Sequence, residues 1–210
     1  MALSKIDVAN MLTGTTPVAN GGTGVTTAAA LANTGNLVLL SSQTASNVGT
    51  VNFDNTVITS SYNNYLLIGH DVKPQTDNAE AYIAISVDNG SNFRSPGYSG
   101  RTYVRITNSA AGGDEQNTIG SPGYGQIASD LGNDGCGSFQ VWFYGINEVT
   151  AGNNKFFNST YTGKHGTDDY TWDSGIAFLT DTSNPINYIR FVFNSGNVVT
   201  GKFRLYGIKE

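Results

Sequence analysis

The sequence predicts an all-β protein: an antiparallel, jelly-roll-like β-sandwich over residues 36–210, preceded by an extended Gly-rich arm over residues 1–35. Three observations predict it. In the longer part, apolar and polar residues alternate with a period of two. Gly, Asn, Asp and Ser clusters punctuate these short runs, as turns between strands require. Residues 1–35 contain no aromatic residue, whereas residues 36–210 hold all 10 Phe, 11 Tyr and 2 Trp. Aromatic rings supply much of the buried area of a core, so the aromatic-free stretch is read as lying outside it.

Within the arm, Pro17 to Thr27 reads Pro-Val-Ala-Asn-Gly-Gly-Thr-Gly-Val-Thr-Thr. It is uncharged and cannot bury enough apolar surface to offset its own ordering entropy. Thr26 to Ala32 has the composition of a short helix, with Thr able to cap and four alanines following. Seven residues would not hold a helix alone. The strands then follow in order. Asn36–Ser42 and Val51–Ile58 are the first runs. Tyr65–Ile68 is apolar on both faces, as a central strand would be. Ala81–Val87 places Ile83, Ile85 and Val87 on one face. Asp88-Asn89-Gly90-Ser91 reads as a tight turn, because Asn and Gly tolerate positive φ.

Thr102–Thr107 alternates next, and Ser138–Ile146 sets Phe139, Val141 and Phe143 opposite Gln140, Trp142 and Tyr144. Lys155–Tyr161, Trp172–Thr180 and Asn187–Asn194 continue the series, the last with Ile189, Phe191 and Phe193 inward. Lys202–Lys209 closes it with Phe203 and Leu205 inward. Nine or ten short strands of this kind indicate a sandwich or jelly roll. Between Asn108 and Gly137 the sequence reads as a long loop, with a strand expected at Tyr124–Ala128.

Charge narrows the function classes. Only 13% of residues are charged and the net charge is -5. No Lys/Arg cluster exists, so a nucleic-acid footprint is not expected. Arg101 and Arg105 share one strand and read as a solvated face. No run of about 18 apolar residues occurs, so membrane insertion by a helix is not expected. Met1–Ile6 has one Lys and no apolar stretch after it, so no signal peptide is expected. The one cysteine, Cys136, excludes an intrachain disulfide and reads as a small structural residue.

Candidate chemistry is sparse, and the chain reads as a non-enzyme with no cofactor. His70 ends an apolar run and His165 lies in a turn; neither has a hydrolase or zinc-site setting, so both read as surface or strand-end residues. Asp114 with Glu115, and Asp168, Asp169 and Asp173, are adjacent carboxylates, which sequence adjacency alone does not set across a cleft. Asp88–Asn92 lacks the alternating oxygen ligands of a calcium loop, so no metal site is expected. Gly21-Gly22-Thr23-Gly24 lacks the Lys of a phosphate loop. Aromatics in polar surroundings are the better prospect for binding: Tyr98, Tyr124, Tyr161, Tyr170 and Trp172, with Asp173 beside them. Sugar rings stack on such faces while Asp and Asn bond the hydroxyls. Core packing and subunit contacts also enrich Tyr and Trp. From this set, Tyr124, Tyr170, Trp172 and Asp173 are the candidate receptor or glycan contacts.

The Pro17, Val18, Ala19, Asn20, Gly21, Gly22, Thr23 and Gly24 run, with Ala28–Asn33 after it, closely resembles the "PVANGGTG" segment of bacteriophage tail-fibre and related virion-fibre proteins. Gly201–Lys209, and Tyr62-Asn63-Asn64-Tyr65 with Leu66-Leu67-Ile68, look like strands of β-sandwich domains in phage structural proteins. The resemblance implies a homotrimeric virion structural protein, made in the host cytoplasm. Its arm would attach to other virion proteins, of the tail, baseplate or capsid, and trimerise; its β-domain would project outward. The implied function is host attachment as a tail fibre, with a host surface glycan as the expected ligand. Thirty-five extended residues reach at most roughly 115–125 Å. So short an arm leaves a head fibre or capsid decoration protein as the alternative, and a polysaccharide-degrading tailspike as the third reading.

Overall fold

The computed structural model describes residues 36–93, 98–106, 111–116, 124–150, 155–166, 170–179 and 184–209. The chain divides into two compact units, Met1–Val38 and Leu39–Glu210. The Pro17–Gly24 run and the short helix expected at Thr26–Ala32 lie outside the described residues.

The described residues form twelve strands and no helix. They are β1 (Leu37–Val48), β2 (Thr50–Phe53), β3 (Asn64–Pro74), β4 (Ala79–Ser86), β5 (Tyr98–Ile106), β6 (Ala111–Gln116), β7 (Tyr124–Leu131), β8 (Gly137–Tyr144), β9 (Lys155–Lys164), β10 (Tyr170–Leu179), β11 (Tyr188–Phe193) and β12 (Val198–Ile208). They build an eight-stranded sheet in the order β1-β12-β3-β8-β9-β10-β5-β6 and a four-stranded sheet in the order β2-β11-β4-β7. Neighbours from β12 through to β6 in the first sheet, and all neighbours in the second, run antiparallel. The fold is therefore an all-β sandwich, as the alternation predicts. Only the β5–β6, β8–β9 and β9–β10 connections stay within a sheet; every other connection changes layer.

The core lies where inward faces meet. Phe139 of the large sheet stacks on Phe191 of the small one, with ring centroids 5.0 Å apart and planes 10° from parallel. Phe203 closes on the same ring at 5.2 Å, and Phe193 meets it edge-on at 5.2 Å. Each buried ring contributes about 1.5–3 kcal/mol of hydrophobic transfer, and each close pair about 0.5–1.5 kcal/mol more. The inward faces expected for Phe139, Val141, Phe143, Ile189, Phe191, Phe193, Phe203 and Leu205 are those observed.

Asparagine fixes the loops. Asn64 Oδ1 accepts the Gly145 N–H at 3.1 Å, Asn63 Oδ1 accepts the Asn147 N–H at 3.1 Å, and Asn147 Nδ2 donates to the Tyr62 carbonyl at 2.6 Å. The Tyr62–Tyr65 segment thus satisfies the backbone of the loop leaving β8, which no ladder reaches. Tyr65 reinforces it: its hydroxyl donates to the Thr59 carbonyl at 2.8 Å and accepts the Thr59 N–H at 2.9 Å. In the Asp88–Ser91 turn, Asn89 and Gly90 take φ of 56° and 82°, the left-handed pair expected of that sequence.

Several expectations are corrected. β2 stops at Phe53, because the Asp54 carbonyl accepts the Val57 and Ile58 N–H groups and its carboxylate accepts that of Thr56. Ala111–Gln116, read as loop, is β6, held at the sheet edge by its ladder to β5. His165, read as a surface residue, is buried, with Nε2 3.8 Å from Asp130 Oδ2.

Candidate functional site

The large sheet presents its outer face to solvent over β8, β9 and β10, and strand alternation decides which side chains stand there. On β10, Tyr170, Trp172, Ser174 and Ile176 point outward. Thr171, Asp173, Gly175 and Ala177 point inward and are buried. Tyr170 is 63% exposed and Trp172 41%. Asp173 is 0% exposed, and its Oδ2 accepts the Thr171 hydroxyl at 2.9 Å. One residue of spacing along a strand is a change of face, so Asp173 does not stand with Trp172 as the sequence expectation had it.

Tyr161 is also corrected. It is the Cα partner of Asp173 on β9 and is 2% exposed. Burial, then the nearby Asp173 carboxylate, raises its phenol well above the ordinary tyrosine range. Its hydroxyl occupies the space a Cβ at Gly137 would need, so only glycine fits there. Tyr124 begins β7, opposite Ala84 in the small sheet, and so belongs to the other layer. Of the four candidate contacts, the structure brings together Tyr170 and Trp172.

The rest of the outer face follows from register. Trp172 pairs with Thr162, which pairs with Ser138. The next row is Ser174, Thr160, Gln140 and Ile68. Between β3, β8 and β9 these two rows enclose a shallow groove of about 200 Å³, lined by Ile68, Gly69, His70, Ser138, Phe139, Gln140, Thr160 and Thr162. Its polar lining is hydroxyl, amide and imidazole, with no carboxylate. At the mouth, His70 Nδ1 lies 2.9 Å from Asp71 Oδ1. A bulge between Gly69 and Val72, with Asp71 at φ 55°, turns that pair out of the β3–β8 ladder, while His70 stays paired with Lys202 of β12. The groove can bond a polyol through several weak donors and acceptors, while Trp172, one strand away, offers a flat apolar face. Sequence reading passed over His70, Gln140, Thr160 and Thr162 as binding residues. They come from three strands and carry no motif; their shared signal is a polar residue at each outward position.

Beyond the polar row the face changes character. Ile176, Asn158, Trp142, Leu66 and Tyr206 form the next row across five strands. Phe156 pairs with Tyr144 in the row after it. Tyr144, Phe156 and Ile176 are 39%, 43% and 57% exposed. From Ser138 to Tyr144, Phe156 to Thr162 and Tyr170 to Ile176, no outward side chain is charged. The nearest charge on β9, Lys164, donates to Asp134 Oδ2 at 2.7 Å. Among the described residues, no three His, Cys, Asp or Glu gather as metal ligands. The chain matches no family model, no characterised protein and no solved structure.

Proposed function

We propose that this chain is a non-enzymatic bacteriophage virion protein, a tail fibre that attaches to the host through a surface glycan. One observation carries the reading: a Pro17–Thr27 segment resembling virion-fibre arms precedes a β-domain. The outer face supports the attachment role, because a hydrogen-bonding groove beside exposed Trp172 and Tyr170 suits sugar hydroxyls and ring faces. In this reading residues 1–35 attach to other virion proteins and trimerise, and residues 36–210 carry the glycan site.

The strand order supports the finer fold assignment. Taken without β5, β6, β9 and β10, the sheets reduce to β1-β12-β3-β8 and β2-β11-β4-β7. Four strands per layer with layer-changing connections is a jelly-roll arrangement of two Greek keys. β9, β10, β5 and β6 then extend one layer, and that extension carries Trp172.

A second reading is a head fibre or capsid decoration protein, which an attachment arm followed by a β-domain would also serve. The tailspike reading has the least support, because glycoside hydrolysis uses a carboxylate pair and the groove lining contains none. Labelling the chain on intact virions tests the proposal: signal at the tail is expected, and signal on the capsid alone replaces it with the decoration reading. Adsorption tests the ligand. Purified full-length chain is expected to compete with phage for host cells, and Trp172→Ala to weaken that competition at least about tenfold. Equal competition by the variant removes Trp172 from the account.

A further inference from the structure

We infer that the apolar band on the outer face of the large sheet is where a second copy of this chain packs. This goes beyond the virion reading and does not depend on it. The band adjoins the groove and shares no residue with it: Thr160 and Gln140 form the groove's last row, and Ile176, Asn158 and Trp142 form the row beyond. It runs from Ile176 on β10, through Phe156 and Trp142, to Tyr206 on β12. Five strands at about 4.8 Å spacing make it roughly 20 Å wide.

Three arguments identify the occupant. The first is area. Large aromatic side chains bring about 150–250 Å² each to a contact. With Tyr144, Phe156 and Ile176 about half exposed and Trp142 and Tyr206 partly so, the band offers on the order of 400 Å² of apolar surface. That is in the range of the largest patch on a soluble monomer, which is often functional. Together with the polar residues around it, the face approaches the ~800 Å² per partner of a standard interface.

The second argument is charge. The chain carries a net charge of -5, so its copies repel over most of their surface. The outward positions of β8, β9 and β10 around the band are uncharged, which removes that repulsion where the copies meet. At the β12 end, exposed Arg204 stands beside Tyr206 on the same face, and it offers a net negative copy a cation rather than a like charge. The third is composition. Interface centres are rich in Tyr, Trp and Phe and poor in Lys, Glu and Asp, which describes this face. Asn158, exposed between Ile176 and Trp142, adds an amide that both donates and accepts and so can meet its own copy.

The test uses the full-length chain. Sedimentation velocity from about 1 to 100 µM is expected to show wild type assembling. Phe156→Glu and Ile176→Lys, each placing a charge inside the contact, are expected to raise the dissociation constant at least about 100-fold. Trp172→Ala, outside the band, is expected to assemble as wild type. Far-UV circular dichroism and melting verify that the variants fold; both sites are exposed, so they should. A second readout is local. In Trp172→Phe the one remaining tryptophan is Trp142, and its emission should move to the blue as assembly proceeds and return to the red when Phe156→Glu is added. The inference is overturned if wild type is monomeric at 100 µM. It is equally overturned if assembly persists while Trp142 emission ignores both concentration and the added charge. Virion labelling reads the fibre assignment separately, so either reading can fail alone.

Discussion

The two faces of the large sheet are built by the same strands and differ in almost every other respect. On β9, Phe157 and Tyr161 are buried among the core aromatics, while Phe156 and Thr162, each one residue away, stand in solvent. On β10, buried Asp173 and exposed Trp172 are neighbours in sequence and opposites in environment. Residue type alone therefore says little about role here. A Phe is buried in the core or stands in solvent, and a Trp stands in solvent one residue from a buried Asp, according to the parity of its position. The inner face specifies the fold, and the outer face remains free to bind.

The sharpest way to test this division is to remove one ring from each side. Phe191→Ala is expected to cost about 3–5 kcal/mol in denaturant unfolding, because Phe139, Phe193 and Phe203 all close on that ring. Phe156→Ala, compared at a concentration where the chain is monomeric, should change stability by no more than about 0.5 kcal/mol, as at an exposed site. Similar losses at the two positions would break the comparison. Gly137→Ala should follow in size, about 1–3 kcal/mol, since the added methyl meets the Tyr161 hydroxyl. Tyr161→Phe in the same background should recover part of that loss.

Alkaline pH probes the inner face next. Burial raises the Tyr65 and Tyr161 phenols in the folded chain. The unfolded chain gives up these protons near pH 10, while the folded chain keeps them to higher pH. Their stabilising contribution is therefore fully present below about pH 10 and lost as pH rises beyond it. Unfolding curves from pH 8 to 12 should show this fall, and Tyr161→Phe should make it shallower. A slope unchanged by that substitution would remove Tyr161 as a cause. Asn63→Ala, which releases the Asn147 N–H, should cost about 1 kcal/mol in melting experiments. Trp172→Ala should have the smallest effect on stability, within about 0.5 kcal/mol. The same variant should show a clear loss in adsorption competition, and that separation of stability from binding is what the outer face predicts.

These contrasts also explain what the sequence made legible. Phe139, Val141 and Phe143 alternate cleanly with Gln140, Trp142 and Tyr144, and period two is enough to assign both faces. β6 escaped notice because Ala-Ala-Gly-Gly-Asp-Glu in and before it lacks the branched and aromatic residues that mark strands; its partner β5 makes it one. Asp173 misled because a carboxylate beside an exposed Trp looks like a sugar ligand, and inward parity outweighed polarity. The groove was invisible for a different reason. His70 and Thr160 are separated by ninety positions, and only the β3–β8 and β8–β9 ladders bring them to one hollow. No local pattern encodes such a meeting.

The position of β1 has a mechanical consequence. It is an edge strand whose sheet neighbour is β12, so the sandwich begins and ends on adjacent strands. Any pull transmitted from the N-terminal side reaches β1 first, which is held by its pairing with β12, by Gln43 Nε2 donating to the Asn52 carbonyl at 2.7 Å and by Ala45 in the core. Under load the domain should therefore yield first by losing its outermost strand, with the layers behind it still closed. A particle tethered by such a domain would be held by a hinge that stretches before it breaks.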